Sequence, residues 1–120
     1  TYVLSSCYYD AYYNRANAVR RAITKDFTDA WQKCDVVVTP TTAGPAFKIG
    51  EKINDPVAMY LEDIFTVSSN LTGMPAISVP SGTVARDGVD LPLGLQIIAP
   101  HMGERTIFEV GKRFLGEVVE

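Results

Sequence analysis

The 120-residue chain carries 47% hydrophobic and 21% charged residues, the size and composition of one soluble globular domain or a piece of one. Its formal net charge of −3 argues against unaided binding of phosphate backbones, because non-specific nucleic-acid affinity comes from clustered Lys and Arg. No apolar run approaches the roughly 20 residues needed to cross a bilayer, so no membrane association is expected.

The opening stretch TYVLSSCYYDAYY has no initiator Met and runs directly into an amphipathic pattern, which reads as part of a longer protein. From about Ser6 to Lys33, Tyr8, Tyr12, Val19, Ile23, Phe27 and Trp31 recur at helical spacing and predict one long amphipathic helix. The neighbouring tyrosines Tyr8, Tyr9, Tyr12 and Tyr13 read as packing residues. Arg15, Arg20, Arg21 and Lys25 are interleaved with acids and read as a solvated face. Cys7 and Cys34 are far apart and lack a CxxC partner, so two buried, reduced thiols of a cytoplasmic protein are expected rather than a disulfide or a metal site.

CDVVVTP is a β-branched run without alternation, the pattern of a strand covered on both faces. TTAGPAFKIGEKIND follows as a long loop. Asp55 and Pro56 then form a helix start, and Gly73 followed by Pro75 forms a stop. Placing the intervening residues about 100° apart gives an apolar stripe of Tyr60, Ile64, Val67 and Leu71, with Asp63 and Asn70 on its flank. A carboxylate against a packed face requires a cation, several donors or a ligand. An internal ion pair or a helix-to-loop hydrogen bond satisfies that requirement as well as ligand recognition does.

Residues 76–79 and 93–99 read as two strands of a hairpin whose turn is Asp87-Gly88. Pro80 points to an edge or a strand end. The last helix runs from about Glu104 to Val118, with Ile107, Val110, Phe114 and Val118 on one side. His101, the only histidine, lies just before it and cannot form a histidine-based metal cluster. NLTGMPAISVPSG supplies Ser78 and Ser81 but neither a G-x-S-x-G elbow nor a P-loop, so it reads as a rigid pocket wall rather than a nucleophile loop.

Four blocks, YYDAYYNRANAVRRAITKDF, DVVVTPTTAGPAF, DPVAMYLEDIFTVSSNLTGMPAISVPSG and LPLGLQIIAP, resemble in order the C-terminal quarter of the amidase signature family. DPVAMYLEDIFT is most similar to the branch formed by the A subunits of glutamyl-tRNA(Gln) amidotransferases. The resemblance implies an α/β fold with a mixed β-sheet flanked by helices, with residues 1–120 as one C-terminal segment of an amidase domain. It also implies a Ser–cis-Ser–Lys triad in a Gly/Ser-rich region upstream, and no Gly-Gly-Ser-Ser-Gly segment occurs here. No catalytic residue is therefore expected in this chain, which should be inactive alone.

In the complete enzyme the resemblance implies hydrolysis of glutamine and delivery of ammonia to a B subunit, with a C subunit supporting the assembly. ATP and Mg²⁺ belong to that partner, and tRNA is engaged through the complex. By the same resemblance Asp63 contacts the α-amino group of bound glutamine and Asn70 helps to position the pocket wall. The matching carboxylate-binding arginine would precede Thr1. A fragment of another signature amidase, or a non-catalytic binding or assembly domain, are the alternative readings.

Overall fold

The computed structural model describes residues 12–52 and 54–117, in two compact units divided after Cys34. In the first unit, helix α1 spans Asn14–Ala30. The expected helix is thus present over its central part, while Cys7, Tyr8 and Tyr9 lie outside the described residues. No residue of α1 is buried, and Tyr12 and Tyr13 just before it are exposed. The basic face is solvated, with Lys25 paired to Asp29 one turn away at 2.5 Å. Phe27 and Trp31 pack with ring centroids 5.8 Å apart. Cys34 is free and exposed, against the expectation of burial, because it follows the last helical turn, where its thiol donates to the Ala30 carbonyl at 3.3 Å.

The second unit contains β1 (Val37–Pro40), α2 (Pro56–Glu62), α3 (Val67–Thr72), β2 (Ala76–Arg86), β3 (Val89–Ile98) and α4 (Glu104–Phe114). The fold class is α/β, as expected from the sequence, and the three described strands run antiparallel in the order β1-β3-β2. The hairpin forms with Arg86 opposite Val89 and with positive φ at Asp87 (52°) and Gly88 (78°), the conformation of a two-residue type I′ turn. Its strands are longer than the apolar runs indicated, because β2 continues past Pro80 through a register irregularity between Pro80 and Thr83.

β3 takes the middle position because its end is almost wholly apolar. Ile97 and Ala99 join Val79 and Ile107 in the core, with Val36, Ile77, Leu95 and Val110 packed around them. Burying side chains such as Ile97 and Ile107 contributes about 1.5–3 kcal/mol each. Gly111 lets α4 approach the sheet, since a Cβ there would lie 2.9 Å from Ile77 Cδ1. The helix carries Glu104 in its first turn and Lys112 and Arg113 in its last, matching the helix dipole. It stops in a Schellman arrangement, with Gly116 at φ 82° and Glu117 N–H donating to the Lys112 carbonyl at 2.9 Å.

Two expectations about packing are corrected. β1 is an edge of the described sheet, and Val38 is 49% exposed because no described element packs over its face, so the strand is not covered on both faces among the described residues. The segment between Asp55 and Gly73 is two helices rather than one. Asp55 caps α2 by accepting from Ala58 N–H at 3.0 Å, and Gly73 ends α3 at φ 71°, both as anticipated. Between them the chain tightens: Asp63 N–H donates to Tyr60 and Ile64 N–H to Leu61, three residues back instead of four. α3 turns Ser69 and Thr72 inward, leaving Tyr60 (79%), Ile64 (53%) and Val67 (43%) facing out.

Candidate functional site

The turn between α2 and α3 carries both sequence-predicted site residues. Asp63 closes α2 and Asn70 lies within α3, and both are exposed. Their backbones are linked through Thr66. The Asp63 carbonyl accepts from the N–H groups of Thr66 and Val67, each at 3.0 Å, and from the Thr66 hydroxyl at 3.2 Å. The Thr66 carbonyl in turn accepts from Asn70 Nδ2 at 3.1 Å. Asn70 therefore has one of its amide donors committed to holding the turn.

The Asp63 carboxylate forms no hydrogen bond or ion pair among the described residues, although three of its helix neighbours do have side-chain partners. The expected apolar surroundings are present beside it as Tyr60 and Ile64, but they face outward. A carboxylate placed this way is presented rather than consumed. It is available to a cationic group brought against this face.

Beneath the turn lies Gln96, a residue that no sequence motif picks out. On the central strand and only 4% exposed, it donates from Nε2 to the Phe65 carbonyl at 2.8 Å and to Thr39 Oγ1 at 2.9 Å. Strand alternation sends Ile97 to the α4 side and Gln96 to the opposite side, under the turn. The available signal was a lone amide inside the apolar run LGLQIIAP, since a buried amide must find partners.

A second polar cluster sits at the end of the sheet. Thr41 Oγ1 and Ser78 Oγ lie 2.7 Å apart, beside Gly94, and border a cleft of about 310 Å³. A neighbouring cleft of about 380 Å³ is lined by Thr39, Pro40, Thr42, Gly44, Ser81 and Leu95, among others. Neither is lined by Asp63 or Asn70. Ser78 is bonded to a hydroxyl rather than a base, and activation of a serine nucleophile needs a base. His101 is exposed and lies by Gly73, where a Cβ would be 3.6 Å from its Cε1. Among the described residues no group of three or more His, Cys, Asp and Glu side chains could hold a metal ion.

The long loop is fixed by charge. Glu51 accepts from Arg86 Nη2 at 2.5 Å and from the Lys48 N–H at 2.7 Å. That N–H, followed by the Arg86 guanidinium, holds the Glu51 carboxyl below the usual carboxylate range. Lys52 pairs with Glu62 in a partly buried ion pair and lies over the Phe47 ring at 4.8 Å. Glu62 directly precedes Asp63, so this pair joins the loop to the end of α2.

The sequence profile of the amidase family matches residues 1–108. The chain belongs to the amidase family. This amidase chain is 58% identical over 111 residues to the A subunit of glutamyl-tRNA(Gln) amidotransferase from Maricaulis maris, covering 92% of the chain and 22% of that protein. It is 56% identical over 114 residues to the protein of the same name from Bacillus velezensis, covering 95% of the chain and 23% of the relative. The crystal structure of the A subunit of glutamyl-tRNA(Gln) amidotransferase from Thermotoga maritima superposes with a TM-score of 0.77 at 41% identity, over 92% of this chain and 24% of that one. The amidase chain thus spans less than a quarter of the length of these relatives.

Proposed function

We propose that this chain is the substrate-side, C-terminal portion of the glutamine-hydrolysing A subunit of a glutamyl-tRNA(Gln) amidotransferase. The observation that carries the reading is the 58% identity to such a protein along 92% of the chain. In the complete protein, a Ser–cis-Ser–Lys triad upstream forms an acyl-serine intermediate from glutamine and releases ammonia. A B subunit, which binds ATP and Mg²⁺, uses that ammonia to amidate the glutamate carried on tRNA, and a C subunit supports the assembly. The setting is cytoplasmic, and the tRNA is engaged by the complex rather than by this segment.

Within that scheme, Asp63 receives the α-ammonium group of glutamine. Its carboxylate has no internal partner among the described residues, so a charge-assisted bond to an incoming ammonium group displaces no existing one. Asn70 stabilises the same wall through Thr66. The outward-facing apolar residues of α2 and α3 and the open edge at β1 fit a segment whose remaining neighbours belong to the rest of the domain.

Asp63→Asn in the complete protein, assembled with its partners, tests the assignment. Loss of a hydrogen bond to a charged group, worth about 1.5–3 kcal/mol, should raise KM for glutamine roughly 10- to 100-fold. An amide lacking the α-amino group should be hardly affected. Equal effects on both substrates would make Asp63 a structural carboxylate and favour another signature amidase. The 120-residue chain alone should release no ammonia from glutamine, and activity in a clean preparation would place the nucleophile within it.

A further inference from the structure

We infer that Gln96 is a positioning residue for substrate selection, its side-chain amide holding the turn that presents Asp63. The inference rests on the proposed role of Asp63 and adds a residue buried beneath it. Three observations carry it. Gln96 is 4% exposed on the central strand, the most constrained place in the sheet. Its Nε2 reaches the Phe65 carbonyl at 2.8 Å and Thr39 Oγ1 at 2.9 Å, so both N–H bonds of the amide have an acceptor. Phe65 lies two residues from Asp63, within the turn whose i-to-i−3 bonds tighten the chain between α2 and α3.

These bonds give the Gln96 amide a specific chemical task. A turn between two short helices has little rigidity of its own, and no residue of α2 is buried. The long-range contact from Gln96, 31 residues away in sequence, anchors its backbone to the sheet. A group that selects an ammonium ion must be held within a fraction of an ångström of its working position. Gln96 supplies that restraint from below without touching the substrate.

The experiment uses the complete protein in its assembled complex and compares kcat/KM for glutamine with that for a simple amide lacking the α-amino group. Gln96→Met keeps the length of the side chain and removes both donors. It should lower kcat/KM for glutamine about tenfold, mainly through KM, and change the simple amide by less than about twofold. In an Asp63→Asn background the same replacement should produce no further loss of selectivity, because the two residues act in series. Thr39→Val, which leaves the bond to Phe65 in place, should retain selectivity.

Equal losses on both amides from Gln96→Met, or an undiminished selective loss in the Asp63→Asn background, would overturn the positioning role while leaving Asp63 in place. Absence of selectivity in Asp63→Asn itself would overturn the role of Asp63, and that of Gln96 with it. If Gln96→Met does not fold, Gln96→Asn provides the same reading. It retains the amide but is one methylene too short to reach both acceptors.

Discussion

Thr41 and Ser78 share a hydrogen bond of 2.7 Å across the face of Gly94, joining the residue after β1 to the first part of β2 over the central strand. The arrangement requires glycine. A Cβ at position 94 would meet Ser78 Oγ at 2.6 Å, Thr41 Oγ1 at 2.7 Å and Thr41 Cβ at 3.0 Å. The hydroxyls can rotate away, but Thr41 Cβ is fixed to a backbone whose N–H donates to the Gly94 carbonyl at 2.9 Å. Gly94→Ala should therefore destabilise the protein by about 1–3 kcal/mol in denaturant unfolding. Ser78→Ala should restore part of the loss by removing one of the contacts. An unchanged midpoint in Gly94→Ala would show that this corner is loosely packed.

The hairpin turn separates backbone strain from crowding. Nothing lies within 4 Å of a Cβ added at Gly88, yet its φ is 78°. Gly88→Ala should cost about 1–2 kcal/mol through the left-handed conformation alone. Asp87 also has a positive φ, 52°, and pairs with Lys48 at 2.6 Å. Asp87→Asn keeps a residue that tolerates this conformation and should lower thermal stability only slightly, because that exposed pair contributes little. A larger loss for Asp87→Asn than for Gly88→Ala would reverse the assignment of the strain.

Glu51 gives a pH signature of known sign. Its carboxyl is held low by the Lys48 N–H and by Arg86, so folding favours the ionised form. The resulting stability is fully present above the ordinary glutamate value of about 4.3 and is lost as pH falls through the lowered folded value. The thermal midpoint of the parent protein should exceed that of Glu51→Gln at neutral pH, and the two should converge in acid. A difference that widened on acidification would contradict the network joining the loop to the hairpin.

Local signals in the sequence were legible wherever short-range chemistry decides the outcome. Asp55 as a cap, Gly73 as a stop and Asp87-Gly88 as a turn act over a few residues, and each performs the task its type indicates. Asp63 also stands out in the sequence, but a helical wheel puts it beside a packed stripe, and that stripe faces outward. A 100° wheel assumes one continuous helix, and the tight turn at Asp63 ends that continuity. For Gln96 the sequence signals only that an amide inside an apolar run needs partners, not which ones they are. Its partners at Thr39 and Phe65 are 57 and 31 residues away, and no local period registers such a contact. The exposure of Val38 likewise depends on which elements pack over that face of the sheet, something its β-branched composition does not encode.

The outward stripe carries the last prediction. Val57, Tyr60, Leu61, Ile64 and Val67 are between 43% and 79% exposed along α2, the turn and α3, and solvent-facing apolar residues concentrated in one region promote association. The 120-residue chain alone should self-associate with rising concentration and bind an apolar dye. The paired replacement Ile64→Lys and Val67→Lys should reduce both effects without lowering the thermal midpoint, because neither residue belongs to the Val79–Ile97–Ala99–Ile107 core. In the complete protein the same pair should be strongly destabilising, by several kcal/mol, if the rest of the domain buries this face, since two ammonium groups would then be desolvated without partners. Analytical ultracentrifugation of the short chain and thermal unfolding of the long one give the two measurements. Tolerance of the lysines in both would mean that the stripe remains solvated throughout and that Asp63 does not face a closed pocket.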